Sequence, residues 1–448
     1  MLKDSSKKNT SLTSVVVKST FGKALTVMFD IVRNFIFIKL LSVELFGLLS
    51  ICNNAVQSSK YFDLGFANKF LIDAYDGKLS GDTAKSVFSA IILFEFLFIS
   101  LVGWIFFLFF LGKTTFSLPA GADGLGLVVI VLVGLTLFAA RLFKLSIIWR
   151  RHVGQYVKIA QIEFGLSVVM LGLSLVAFRE DFPQFLKIYF LGQLSIFLLS
   201  SLVTFRNINV GKPAFSWLKE NIRISLTLTS ATLIFGLSFY LDRYILLNYF
   251  SFTELGYYAV LLFVLNIANT LTSFMVEPIR ANLAKLFSSG DAMTRAILLN
   301  KIVLYAGIVL VVGGMLLIKL LMPVFSQLAM LFAPKYSLVF PVFEMVFKIC
   351  LTFPLLFILG YLIVAKPYEK SIFFAVSQFS GVIAISISFW ILKVDQSIYW
   401  VLLLGVYYGN VLKIYSYFGM MTLKRKSSEN YDAKSLFYLI PFVLVPWI

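Results

Sequence analysis

The sequence predicts an all-α polytopic membrane protein: about 12 transmembrane helices in two pseudo-symmetric six-helix bundles, with N- and C-termini cytoplasmic. Three observations carry this. Hydrophobic residues make up 60% of the 448, charged residues only 14%, and mean hydropathy is +0.91. A soluble domain has about 45–50% apolar and about 25% charged residues. With 48 phenylalanines, the apolar surface exceeds what an aqueous core can hide. Second, apolar stretches of about 20 residues, each long enough to span a bilayer, follow one another along the chain. Third, positive charge alternates from one connection to the next.

The apolar stretches place helices near 14–38, 45–66, 86–111, 125–148, 155–178, 184–205, 222–248, 255–286, 296–322, 338–365, 371–392 and 397–422. The first two and the eighth are only weakly apolar. Leu436 to Ile448 is a last apolar run of 13 residues with two prolines. It is too short to span, which suits an interfacial segment or the start of a further helix.

Net charge is +17, and its distribution points to a membrane rather than to nucleic acid. Both termini and the even-numbered connections hold Lys69, Lys78, Lys85, Arg150, Arg151, Arg206, Lys212, Lys219, Lys285, Lys366, Lys424 and Arg425, among others. Odd-numbered connections hold little beyond Lys39, Lys113, Arg179, Lys335 and Lys393. By the positive-inside rule, both termini face the cytoplasm. Met1 to Thr10 is polar and shows no cleavable signal peptide. Cys52 and Cys350 fall mid-helix and read as packed thiols rather than a bridge.

The chain also repeats itself. Arg33 followed by Glu44-Leu45-Phe46-Gly47 returns as Arg243 followed by Glu254-Leu255-Gly256, and Gly81-Asp82 returns as Gly290-Asp291. Six helices per half make the repeats parallel, related by an axis near the membrane normal. The expected organisation is 1–208 for the first bundle, 209–433 for the second and 434–448 for the tail, with the boundary in the basic segment from Arg206 to Asn221. No loop is long enough for an extramembrane catalytic domain. The only histidine, His152, lies in a basic loop, and there is no His/Cys metal cluster or phosphate-binding loop. No enzyme activity, metal or cofactor is expected; a membrane potential or a proton or sodium gradient would supply energy.

Charged and polar residues inside the spans are the candidate site. In the first helix, positions 23, 26, 30 and 33 share one face, so Lys23, Asp30 and Arg33 form a stripe. Facing lipid, each charge would cost roughly 2.5–3.5 kcal/mol; the stripe must therefore face water or opposite charge. Lys18, nearer the end, can snorkel. Helix two carries Asn53, Asn54 and Gln57, then Lys60; helix eight carries Asn266, Asn269 and Thr270, then Glu277 and Arg280. Amides donate and accept, which suits a hydroxyl-rich ligand. The bland alternative is helix-to-helix glue. Helix seven holds Asp242 and Arg243. Arg33 and Arg243, arriving from the two halves, would together suit a phosphate. Glu95 and Glu163 have no local partner, and with Asp30, Asp242 and Glu277 they are the ion-coupling candidates. Glu344 and Lys348, at i,i+4, read as a structural ion pair. Pro278 and Pro354 mark kinks.

In this order and spacing, Glu44-Leu45-Phe46-Gly47, Asp63-Leu64-Gly65, Leu241-Asp242-Arg243-Tyr244-Ile245-Leu246, Glu254-Leu255-Gly256-Tyr257-Tyr258 and Pro278 resemble the O-antigen and polysaccharide flippases. These belong to the multidrug/oligosaccharidyl-lipid/polysaccharide exporter superfamily. The resemblance spans roughly 12–425. It implies alternating access of two lobes, moving an undecaprenyl-pyrophosphate-linked oligosaccharide from the cytoplasmic to the periplasmic leaflet of a bacterial inner membrane. It also implies a cationic lumen and other glycan-assembly membrane proteins as partners. In that scheme Lys23, Arg33, Arg243, Lys60 and Arg280 attract the pyrophosphate, and the amide bands cradle the sugars. The alternatives are a drug exporter of the same superfamily or, from another class, a membrane glycan polymerase or acyltransferase.

Overall fold

The computed structural model describes residues 12–57, 59, 65–75, 77–111, 127–206, 212–238, 243, 246, 251–289, 313–353, 356, 375–377, 379–380, 383, 398–423, 443 and 446. Within them the backbone is helical: α1 (Leu12–Leu40), α2 (Val43–Gln57), α3 (Phe66–Tyr75), α4 (Gly81–Leu111), α5 (Leu127–His152), α6 (Tyr156–Ala177), α7 (Phe182–Arg206) and α8 (Phe215–Ser238). Then come α9 (Phe252–Ser289), α10 (Gly314–Phe332), a 3-10 segment (Pro334–Val342), α11 (Phe343–Cys350) and α12 (Ile398–Leu423). Helices are the form an apolar chain takes in lipid, because every peptide group must be satisfied within the segment. Four described stretches are long and apolar enough to cross a membrane: Val128–His152, Tyr156–Ala177, Phe182–Arg206 and Phe252–Thr270.

The chain divides into two compact units. One comprises Met1–Phe35, Ala55–Lys60 and Phe66–Glu220; the other comprises Ile36–Asn54, Tyr61–Gly65 and Asn221–Ile448. α1 and α2 therefore contribute to both.

In the first unit, α5 lies along α7. Thr136 bonds to the Phe190 carbonyl at 3.1 Å, and Phe143 stacks on Phe197 with centroids 5.3 Å apart. Lipid offers no hydrophobic drive for helices to associate, so such close packing and interhelical hydrogen bonds hold them. At the far end of α5, Phe70 of α3 sits among Phe88, Trp149 and His152, with centroids 5.1–6.3 Å away. Lys69 and Asp73, both buried, pair on α3.

The helix read from sequence as 45–66 is not continuous. α2 stops at Gln57, and Phe66 begins a separate helix of 10 residues. Gly65 marks the break. Its φ is +74°, and a Cβ there would lie 2.2 Å from the Ser225 carbonyl oxygen. Only glycine combines that dihedral with that approach. A further departure is Pro323, which lies inside α10. Pro354 lies outside the described residues, and position 278 falls inside α9.

In the second unit, the two copies of the Glu-Leu-Gly motif meet. Ser42 accepts from the Leu45 N–H at 3.3 Å, and Ser251 accepts from the Glu254 N–H at 3.3 Å. Each serine is thus the N-cap of its helix. Gly47 then faces the Phe252 carbonyl, and Gly256 faces the Val43 carbonyl. The Thr253 hydroxyl donates to Glu44 Oε1 at 2.9 Å, a spacing of 209 residues. This sets the repeat register: Ser42 matches Ser251, Glu44 matches Thr253 and Gly47 matches Gly256. Glu44 and Glu254, aligned by letter, are one position out of register.

Residues of the 3-10 segment close over this crossing. The Lys335 ammonium donates to the carbonyls of Lys39, at 3.2 Å, and Leu41. Tyr336, fully buried, touches Phe46 of α2 and Tyr257 of α9 edge-on, at 6.3 and 5.9 Å. Nearby, Glu344 and Lys348 form the expected ion pair at 2.9 Å. The tail reaches this unit: Lys348 and Tyr408 donate to the carbonyls of Pro446 and Val443, at 3.4 and 3.2 Å. Both cysteines are free thiols.

Candidate functional site

The stripe on α1 is where sequence reading and geometry coincide most. α1 lies against α6 in the first unit. A Cβ on Gly22 would sit 3.0 Å from the Ala160 side chain, and Phe29 meets Phe164 edge-on at 5.4 Å. One turn on, Ser167 donates to Asp30 Oδ1 at 3.1 Å. The same oxygen receives the Arg33 guanidinium at 3.1 Å. Asn34 donates to the Asp30 carbonyl at 2.7 Å. The Arg33 side chain is 15% exposed and that of Asp30 40%.

Two demands shape this stripe. The small residues Gly22 and Ala160 let the backbones approach, as is usual in membrane helix packing. The charges of Arg33 and Asp30 offset one another, which is the structural pairing the sequence allowed. Arg33 Nε is buried without a hydrogen-bond partner among the described residues. Asp30 stays the more open partner of the pair. Lys23 and Glu163 are half-buried on α1 and α6 of the same unit, and Glu163 precedes Ser167 by one turn. Lys18 is exposed, in keeping with snorkelling.

Glu95 requires a correction. Read as lacking a partner, it holds Arg141, 46 residues away, by two hydrogen bonds of 2.8 Å. The pair is 0% and 3% exposed. Each charge offsets the other, which favours a structural pair over an ion-coupling role for this carboxylate. Spacing along one helix cannot reveal a partner on the next.

The amide bands divide. On α2, Asn53 and Asn54 are half-buried, and Asn54 donates to Ser50 at 3.3 Å; Gln57 is exposed at the helix end. On α9, Asn266 and Asn269 are exposed one turn apart, and Thr270 donates to the Asn266 carbonyl at 2.7 Å. On α8, Thr227 and Thr229 donate back to their own helix, to the Arg223 and Ser225 carbonyls at 2.9 and 2.8 Å. Arg243 is helical and half-buried in the second unit. Lys60 and Asp242 lie outside the described residues, and of Glu277 and Arg280 only the backbone, on α9, is described. Ser167 and Thr253, which sequence reading passed over, and Lys335, read only as a loop charge, owe their contacts to interhelical geometry.

This arrangement defines an all-α polytopic membrane protein of two helical bundles. The sequence matches no protein-family model and no curated protein. Solved structures do match, over nearly their whole length. A mutant of the Vibrio cholerae MATE transporter VcmN has TM-score 0.62 at 15% identity, covering 95% of this chain and 98% of that one. The lipid II flippase MurJ, in an inward closed conformation, has TM-score 0.61 at 12% identity, covering 97% of each. MATE in complex with MaL6 has TM-score 0.58 at 12% identity, covering 92% and 96%. At these identities the likeness is one of fold.

Proposed function

We propose that this protein is a flippase for a lipid-linked oligosaccharide, carrying an undecaprenyl-pyrophosphate-linked glycan from the cytoplasmic to the periplasmic leaflet of a bacterial inner membrane. The reading is supported by the stripe of Lys23, Asp30 and Arg33 along one helix, α1, in a fold shared with a lipid II flippase. A sugar headgroup with a pyrophosphate cannot cross hydrocarbon, since each unpaired polar group costs several kcal/mol. Arg33 and Arg243, with Lys23, Lys60 and Arg280, attract the pyrophosphate. Asn53, Asn54, Gln57, Asn266, Asn269 and Thr270 meet the sugars, while the prenyl tail stays in lipid. Moving two negative charges outward across about 100 mV, negative inside, gains about 4.6 kcal/mol. Proton or sodium coupling through Asp30, Glu163, Asp242 or Glu277 can add to this.

A second reading has an observation of its own. The fold is also shared with MATE transporters, one of them a multidrug resistance transporter, and Asp30, 40% exposed, suits a cation. One experiment separates the two. The gene is introduced into a strain lacking its glycan flippase, and surface glycan and efflux of cationic dyes are both scored. Restored glycan, lost again in the Arg33→Gln/Arg243→Gln double variant at unchanged protein level, supports the flippase. Dye efflux without glycan supports the exporter.

A further inference from the structure

We propose that Lys335 is a releasable clasp: one ammonium, held on the carbonyls that end α1, keeps the crossing of α2 and α9 shut. The last carbonyls of a helix have no partner within it, and a lysine is a natural donor to them. Here the donor comes from far along the chain, 296 and 294 residues from its two acceptors. Its neighbour Tyr336 straddles the crossing, with Phe46 of α2 on one side and Tyr257 of α9 on the other. The 3-10 segment therefore touches the end of α1 and the first turns of both crossing helices. Two prolines, Pro334 and Pro341, stiffen it.

Gly47 and Gly256 meet backbone to backbone with the Val43 side chain against Gly256, and the Thr253 hydroxyl bonds Glu44 across the crossing. The clasp rests on neutral carbonyls, a weaker hold than an ion pair of the same geometry. Glu95 and Arg141 are the contrast: bidentate, charged on both sides and fully buried, they are built to stay. Moreover α1 runs unbroken from Leu12 to Leu40, so letting go of its end frees the helix that carries Asp30 and Arg33.

The inference takes its purpose from the transport reading, but its test does not. In a Cys52→Ser/Cys350→Ser background, Val43→Cys places a thiol at a buried position of the crossing. Its maleimide labelling is followed in purified, detergent-solubilised protein, well below the unfolding temperature. Lys335→Gln should label about tenfold faster than the parent, which corresponds to about 1.4 kcal/mol of lost closure. Lys335→Arg, which keeps a charged donor, should stay within about twofold. Ile91→Cys, buried on α4 of the first unit, should label at the same rate in all three proteins. Unchanged labelling at position 43 in Lys335→Gln overturns the clasp, as does equal acceleration at 43 and 91, which signals general loosening. If Val43→Cys does not accumulate, amide exchange over residues 42–47 of the otherwise native chain gives the same decision. Labelling needs no substrate, so a protein that moves no glycan can still pass or fail.

Discussion

Gly47 and Gly256 face each other's helix starts reciprocally: a Cβ on Gly47 would stand 2.7 Å from the Phe252 oxygen, and one on Gly256 only 1.9 Å from the Val43 oxygen. Because the obstacle is backbone on both sides, no side chain can swing away. Alanine at either position should therefore destabilise the fold by about 1–3 kcal/mol, the usual range for overpacking. Gly256→Ala should be the more damaging. The two sites share one contact, so the double variant should cost less than the sum of the singles. Thermal unfolding in detergent reads all three, and full additivity would argue that the glycines do not touch.

The Glu95–Arg141 pair makes an asymmetric prediction. Glu95→Gln or Arg141→Met alone leaves a buried charge without its partner, and such changes cost about 3–5 kcal/mol. Glu95→Leu with Arg141→Met removes both charges and should recover most of that loss. A double-variant cycle on the unfolding midpoint checks this. If Glu95→Gln were harmless yet blocked transport, its carboxylate would have the coupling role that the pairing argues against.

Glu44 gives the pH prediction. It lies in the first turn of α2, just outside the apolar span read as 45–66, and its carboxyl is held below the ordinary value. The largest cause is hydrogen bonding from its own backbone; burial opposes, and the hydroxyls of Thr253 and Ser42 and the charge of Lys335 add to the lowering. A lowered carboxyl binds fewer protons folded than unfolded. Its contribution is therefore present above the unfolded value, about 4.3, and fades as pH falls through the lower folded value. Unfolding scans in detergent from pH 6 to pH 3 should show wild type losing this increment while Glu44→Gln falls less steeply. Lys335 acts in the opposite limb. Burial pushes its ammonium down, with Glu44 opposing, so the burial penalty on its charge fades as pH rises toward the lysine range, where the ammonium that donates to Lys39 and Leu41 is itself lost.

Much of the fold was legible because hydropathy alone marks a membrane helix. The stretches read as 125–148, 155–178 and 184–205 are α5, α6 and α7 with ends shifted by a few residues. α3 was missed because 10 residues with Lys69 and Asp73 make no apolar run. Of the site, Asp30 and Arg33 were visible as neighbours on one helical face. Their third partner, Ser167, is 137 residues from Asp30 and carries no periodic signal. The repeat was legible too, but glutamate matched to glutamate gave a register that the capping serines correct by one residue. Similar letters were a poorer guide than the positions that must cap and cross.

The stripe itself can decide between glycan and drug. Asp30 offsets Arg33 at 3.1 Å, so Asp30→Asn leaves the basic groups of α1 uncompensated. At about 4 Å in a watery site one unit charge is worth about 1 kcal/mol, or about fivefold in affinity. Binding of undecaprenyl pyrophosphate, followed by native mass spectrometry, should therefore tighten by about that factor in Asp30→Asn. It should weaken by about as much in Arg33→Gln, because the guanidinium is the attractive group. Surface glycan should follow Arg33 and not Asp30. The reverse pattern, with Arg33→Gln silent and Asp30→Asn abolishing dye efflux, would make the carboxylate the working group and the substrate a cation.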